Sequence, residues 1–231
     1  MDEPAAETDD AQSAARRERG RVLFAQECRF ITGAANLNQL PPDGLPEVAF
    51  AGRSNVGKSS LVNALTGRRT LAKVSNTPGR TRQLNFFDLG GRLMLADLPG
   101  YGYARASKAE VASWTKVVQR YLLGRASLRR TLLLIDSRHG LKQVDREMMA
   151  MLDKAGVSYQ TVLTKTDHLR PSDLDARLRG TQAELAQHTA AHPEIIATSA
   201  AHGTGIAELR SALAQLSDWT TEQENDPASS A

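Results

Sequence analysis

An apolar segment, Val48-Ala49-Phe50-Ala51, runs into Gly52-Arg53-Ser54-Asn55-Val56-Gly57-Lys58-Ser59, and that run opens a helix-like stretch through Leu61, Leu65 and Gly67. A strand, a glycine-punctuated loop and a helix in this order read as a phosphate-binding P-loop. The loop wraps an anionic phosphate chain with its own backbone N–H groups, and the helix N-terminus points its positive dipole end at the same charge. Gly52 and Gly57 allow that backbone path. Lys58 is placed to reach the β- and γ-phosphates, and Ser59 can offer its hydroxyl to Mg²⁺. A glycine-rich turn before a helix can be purely structural, but the flanking strand and helix are the context that phosphate binding requires.

Further along, more apolar runs end in polar signatures, as expected of an α/β sheet that binds its ligand at the carboxyl ends of its strands. Leu93-Met94-Leu95-Ala96 leads into Asp97-Leu98-Pro99-Gly100, a DxxG. Asp97 would hold Mg²⁺ through a water, and the Gly100 N–H could bond the γ-phosphate, so hydrolysis would release this loop. Val162-Leu163 leads into Thr164-Lys165-Thr166-Asp167, a TKxD. A carboxylate such as Asp167 accepts two parallel hydrogen bonds from guanine N1–H and N2, which adenine does not supply. Glu194-Ile195-Ile196-Ala197 ends in Thr198-Ser199-Ala200, where a backbone N–H could contact the guanine carbonyl. TKxD alone is a common chance match. Four such signatures in the right order, each at a strand end, specify a GTP site.

With these residues in view, the sequence resembles the TRAFAC-class translation-factor-like GTPases and, within them, the EngB ribosome-assembly GTPases. The resemblance covers roughly residues 22 to 217. It is carried by Gly52 to Ser60, by Thr77-Pro78-Gly79-Arg80-Thr81 leading to Leu84-Asn85-Phe86-Phe87, and by Asp97-Leu98-Pro99-Gly100-Tyr101-Gly102-Tyr103-Ala104. It implies that Thr81 is the switch I threonine closing over Mg²⁺, with Gly79, Arg80, Thr81, Arg82 and Gln83 as nucleotide contacts. Ser59 and Thr81 would be the protein ligands of the metal, with Lys58, Thr81 and Gly100 acting on the reacting phosphate. Thr81-Arg82-Gln83 stands where many relatives carry Thr-Gln at the first two positions. The TKxD also departs from the commoner NKxD, but EngB relatives typically carry Thr there.

Tyr101 follows Gly100, where Ras-like GTPases place the glutamine that orients the attacking water. An aromatic ring cannot do that job. Slow intrinsic hydrolysis is therefore expected, with the site completed by a monovalent cation, a rearranged switch or a ribosomal partner. The alternative for Tyr101 is that it only packs the switch.

The 231 residues suffice for one α/β domain with tails. Residues 1–21 are expected to be an acidic, poorly ordered tail, 22–217 the GTPase domain, and 218–231 a second acidic, poorly ordered tail. Met1 to Asp10 holds five acidic residues and Asp218 to Ala231 four, with no Lys or Arg in either segment. Setting those nine aside turns the net +3 into +12 on the residues between. Such a body attracts polyanions, and Arg68, Arg69, Lys73, Arg80, Arg82, Arg105 and Lys108 cluster in sequence around the nucleotide motifs. A solvated basic face is the plain reading, and the resemblance favours ribosomal RNA. Neither end carries an apolar core long enough for a signal peptide or membrane span, so a cytoplasmic protein without membrane contact is expected, as a monomer. Cys28, the single cysteine, reads as a small buried hydrophobe. His188 and His192 read as residues of an exposed helix end before Pro193.

The spacing predicts six strands: Glu47 to Ala51, Gln83 to Leu89, Arg92 to Asp97, Arg130 to Asp136, Ser158 to Thr164 and Glu194 to Thr198. Gly90-Gly91 joins two of them as a hairpin, so one strand runs antiparallel in an otherwise parallel, three-layer αβα sheet. Helices are expected over Lys108 to Leu123, Leu141 to Lys154, Ser172 to Ala190 with Ser172 as cap, and Gly205 to Leu216.

The reading that results is a GTPase, with Mg²⁺ and bound GTP or GDP, that switches in assembly of the large 50S ribosomal subunit and is needed for normal cell division and septation. Its partners would be ribosomal RNA and ribosomal proteins. A nucleotide-gated RNA- or ribosome-binding protein with incidental hydrolysis is one alternative. A P-loop small-molecule kinase is another, opposed by the DxxG, the TKxD and the lack of an arginine-rich lid.

Overall fold

The structure is a computed structural model that describes residues 4–68, 71, 83–101 and 108–217. Its sheet is built from apolar runs whose alternate residues feed two separate cores. In β2 (Glu47–Gly52), Val48 and Phe50 face one side while Ala49 and Ala51 face the other. In β5 (Leu128–Asp136), Leu132 and Leu134 likewise oppose Leu133 and Ile135. A strand covered on both faces reads as a continuous apolar run, and these do.

One core is closed by α1 (Pro4–Ala25), α2 (Lys58–Thr66) and α6 (Ile206–Ala214), through Leu23, Phe24, Leu61, Leu65, Leu209 and Leu213. The opposite core is closed by α3 (Lys108–Gly124), α4 (Gln143–Ala155) and α5 (Pro171–Leu185), through Tyr121, Leu122, Met149, Leu152 and Leu185. The result is the three-layer αβα architecture.

The described sheet has seven strands, not six. With β1 (Cys28–Ala34), β3 (Leu84–Leu89), β4 (Leu93–Asp97), β6 (Tyr159–Thr164) and β7 (Ile196–Ala197), the order is β1-β3-β4-β2-β5-β6-β7. The extra strand β1 lies at the edge, pairs antiparallel with β3 and carries a register shift between Phe30 and Thr32. Arg29, Phe30 and Ile31 are all exposed, so the segment lacks the alternation that betrays a half-buried strand. β3 is antiparallel to both neighbours, while the other pairings are parallel. The single reversed strand and its hairpin at Gly90-Gly91 thus stand as expected.

Several boundaries move. α1 reaches back to Pro4, so the expected tail boundary at residue 22 falls inside a helix. Residues 11–19 of it are exposed, and packing begins at Gly20, Leu23 and Phe24. α5 starts at Pro171 with Arg170 in extended conformation as its cap, which makes Ser172 a helical residue rather than the cap. Proline at the first helical position favours this choice. α5 also ends at Leu185, short of the expected Ala190. His188 then lies beyond the helix, half-buried, with Nδ1 2.5 Å from Asp153 Oδ2. His192 is half-buried as well and donates its amide to the Tyr159 carbonyl. Neither histidine stands on an exposed helix end. Among the described residues, no helix is long and apolar enough to cross a membrane. The expected tail 218–231 lies outside the described residues.

Candidate functional site

β2 has β4 on one side and β5 on the other, so the chain leaves its carboxyl end at a point where the sheet opens in both directions. Such a switch point leaves a crevice for ligand. The loop from Gly52 fills it and turns into α2. Gly57 caps α2 at φ +104 and brings no side chain of its own to the helix start. That conformation suits glycine, and a Cβ there would meet Lys165 Cε at 3.4 Å. The helix start therefore keeps its positive end for an anion.

The DxxG is fastened alongside. Leu98 donates its amide to Phe50 O at 3.1 Å, Tyr101 to Gly52 O at 3.1 Å, and Ser54 to Tyr101 O at 3.1 Å. Gly100 lies so close that a Cβ would stand 3.0 Å from Ser54 N and Cα. Leu98 and Pro99 are buried, so the turn presents its backbone. Lys58 forms an ion pair with Asp97, both largely buried. The structure therefore brings Gly52, Arg53, Ser54, Asn55, Val56, Gly57, Lys58 and Ser59 together with Asp97, Leu98, Pro99 and Gly100.

The residues of the TKxD are tied to the same loop. Thr164 Oγ1 donates to Val56 O at 2.6 Å, and Lys165 Nζ to Asn55 O at 2.6 Å. Lys165 adopts a left-handed backbone (φ +58) and also pairs with Asp136 Oδ2 at 3.0 Å. Thr166 donates its amide to Thr198 O at 3.2 Å. Asp167 accepts from Ser199 Oγ at 2.6 Å, which holds its carboxyl below the usual carboxylate range. It is thus an anion, with Oδ2 3.4 Å from His168 Nε2 and a side chain that is 14% exposed. Thr198 and Ser199 spend their amides on Leu163 O and Thr204 O, and Ala200 follows them at the rim.

Two of these contacts were not read from the sequence. Asp136 ends β5 as Asp97 ends β4, and that parallel was the available signal. Burial pushes its carboxyl up, but Arg138 and Lys165 outweigh burial and hold it below the usual carboxylate range. Asp145, buried in the first turn of α4, accepts from the Tyr101 hydroxyl at 2.9 Å. Tyr101 is itself buried, in the core that also holds Leu98, Val118 and Tyr121, with its hydroxyl turned to Asp145. A buried acid in a helix gives no sequence signal of its own.

Gly79, Arg80, Thr81 and Arg82 lie outside the described residues, as do Arg69, Lys73 and Arg105 of the basic rim. Gln83 is exposed, and its side chain lies against Gly33 of β1. For Mg²⁺, the described candidates are Ser59 in the first turn of α2 and Asp97 at the end of β4, both hard oxygen donors. Mg²⁺ keeps most of its waters and needs only one or two protein oxygens besides the phosphates. The pair fits. Bound there, the metal would neutralise phosphate charge.

The profile of the family described as 50S ribosome-binding GTPase matches residues 47–165. The chain is 56% identical over 201 residues to the probable GTP-binding protein EngB of Bradyrhizobium diazoefficiens, an alignment covering 86% of this chain and 93% of the relative. It is 55% identical over 217 residues to the probable GTP-binding protein EngB of Rhodospirillum rubrum, covering 92% and 94%. A crystal structure of a probable GTP-binding protein EngB aligns with a TM-score of 0.57 at 21% identity, over 74% of this chain and 97% of that one, and speaks to the fold. Cys28 is buried here, as expected of a small hydrophobe. With a P-loop, a DxxG and a guanine-type loop meeting in one crevice, the chain belongs to the EngB family of GTP-binding proteins, among the ribosome-binding GTPases whose membership implies GTP hydrolysis.

Proposed function

We propose that this chain is a Mg²⁺-dependent GTP/GDP switch that acts in assembly of the large ribosomal subunit, and through ribosome supply in normal cell division and septation. The observation that carries the nucleotide half is Lys165, whose ammonium joins the TKxD to the Asn55 carbonyl of the P-loop. A kinase needs only the phosphate half. Joining the two halves pre-organises one pocket for phosphate and guanine together.

In this reading Asp167 accepts from guanine N1–H and N2, the Ala200 amide meets the guanine carbonyl, and Lys58 leaves Asp97 to reach the β- and γ-phosphates. Ser59, with Thr81, holds Mg²⁺, and Asp97 reaches it through a water. Gly100 offers its N–H to the γ-phosphate and loses that contact on hydrolysis. Tyr101 has its hydroxyl committed to Asp145, so no side chain at this position orients water. Slow intrinsic turnover, raised by a ribosomal partner, is the consequence. Gly79, Arg80, Arg82 and Gln83 would close over the nucleotide from the switch I side. The protein would act as a monomer in the cytoplasm, with its basic rim turned to ribosomal RNA.

Co-sedimentation with 50S subunits, comparing GDP with a non-hydrolysable GTP analogue at several salt concentrations, tests this reading. Binding with the analogue and not with GDP, weakening as salt rises, supports it. Equal binding or no binding in both states removes the ribosomal switch and leaves only the nucleotide site.

A further inference from the structure

One buried carboxylate connects three segments that the nucleotide reading keeps separate. Asp145 is fully buried in the first turn of α4. Its Oδ2 accepts the Lys142 amide at 2.8 Å, closing the helix start. That same oxygen lies 3.1 Å from Arg53 Nε, the second residue of the P-loop, and its Oδ1 accepts from the Tyr101 hydroxyl at 2.9 Å. Arg53 also reaches across to the Gly140 carbonyl at 3.2 Å, in the turn before α4. Burial, with the Asp145 charge, pushes the Tyr101 phenol well above its ordinary range, so it stays a donor.

The backbone closes the same circuit. Arg53 and Tyr101 form an isolated parallel bridge, which prolongs the β2–β4 direction past the last strand residue. Gly100 is thereby trapped between a residue tied to the P-loop and a turn pressed on Ser54. A helix-capping acid needs only the Lys142 amide. Its two further partners are Arg53 of the P-loop, as an ion pair, and the hydroxyl of Tyr101, the residue next to Gly100.

We propose that Asp145 and Tyr101 are positioning residues that clamp the DxxG turn to the P-loop, so that the Gly100 N–H is held ready for a γ-phosphate before nucleotide arrives. This rests on the Gly100 role proposed above. The ordering cost of the turn is met on folding, and a triphosphate need not meet it on binding. A diphosphate makes no such contact. Loosening the clamp therefore penalises GTP and leaves GDP alone.

The test titrates the full chain, wild type, Tyr101→Phe and Asp145→Asn, with fluorescent GDP and a fluorescent non-hydrolysable GTP analogue, with single-turnover GTP hydrolysis measured in parallel. Both variants are expected to lower the affinity for the analogue by about tenfold and to keep GDP affinity within about twofold, in the usual range of coupling between sites. The single-turnover rate should fall with the analogue's affinity. An unchanged ratio of the two affinities, or an equal loss for both nucleotides, overturns the proposal. Should Asp145→Asn fail to fold, Tyr101→Phe decides, since it removes one hydroxyl and keeps the packed ring. A wild-type chain that binds neither nucleotide overturns the nucleotide reading itself, and that outcome is distinct from the variants' failure.

Discussion

The Lys165 ammonium stands between the Asn55 carbonyl, at 2.6 Å, and the Asp136 carboxylate, at 3.0 Å, so the end of β6, the P-loop and the end of β5 share one cation. Asp136 fixes where that cation sits, and a neutral amide would release it. Asp136→Asn should weaken GTP and GDP alike by roughly tenfold, the worth of one hydrogen bond between charged groups at about 1.5 kcal/mol. Nucleotide titration with both ligands checks this. A loss confined to GTP would mean that Lys165 reports on the γ-phosphate and not on the base.

Asp167 accepts from Ser199 through Oδ1, and its Oδ2 lies 3.4 Å from His168 Nε2. Asp167→Asn replaces a double acceptor with a group that also donates, which mismatches guanine and matches the carbonyl that xanthine carries in place of the guanine amine. GTP affinity should fall on the order of 100-fold, two charged hydrogen bonds at about 1.5 kcal/mol each, and xanthosine triphosphate affinity should rise. Competition between the two triphosphates measures the exchange. Unchanged selectivity would remove Asp167 from the guanine site.

Lys58 is paired with Asp97. Lys58→Ala removes the cation proposed to reach the phosphates and leaves a largely buried carboxylate without it. Triphosphate binding and turnover should both be lost, and a melting curve separates that loss from unfolding. Retention of both would sink the P-loop assignment.

Much of this site was legible because chemistry concentrates where apolar strands end. Val48 to Ala51, Leu93 to Ala96 and Val162-Leu163 announce buried strands, and the polar residues after them are then forced to the sheet's carboxyl edge. β1 was not legible, because Arg29, Phe30 and Ile31 on an edge strand all face outward and carry no alternation. α1 was hidden for a related reason. Its residues 11–19 are exposed, so no apolar stripe marks the helix before Gly20. The roles of Asp136 and Asp145 depend on partners 29 and 44 residues away along the chain, Lys165 and Tyr101. No local pattern encodes such pairs.

At the other end of the sheet, Arg125 contacts Glu47 through Nε at 2.9 Å and Nη2 at 2.5 Å, and Tyr121 donates to the second Glu47 oxygen at 2.9 Å. Glu47 is 1% exposed, so removing its cation strands a buried charge. Arg125→Ala should cost about 3–5 kcal/mol of stability. Tyr121→Phe, which removes a single hydrogen bond to a charged group, should cost about 1.5–3 kcal/mol. Urea unfolding measures both. Because Glu47 opens β2 and the nucleotide loop closes it, nucleotide affinity of the folded variants should match wild type.

Cys28 begins β1 with its side chain buried, and burial pushes its thiol from 9.0 up to about 11. The sign follows from which form is penalised. The folded state disfavours the thiolate, so the stability linked to this group is fully present below pH 9.0 and is lost as pH rises toward 11. At pH 8 the native chain should therefore resist iodoacetamide, while the urea-unfolded chain should be alkylated at its single cysteine with an ordinary thiol's rate. Mass spectrometry across a urea series at that pH should give an alkylation midpoint equal to the unfolding midpoint. Rapid alkylation without urea would mean that β1 opens independently of the sheet, as an edge strand paired on one side can do.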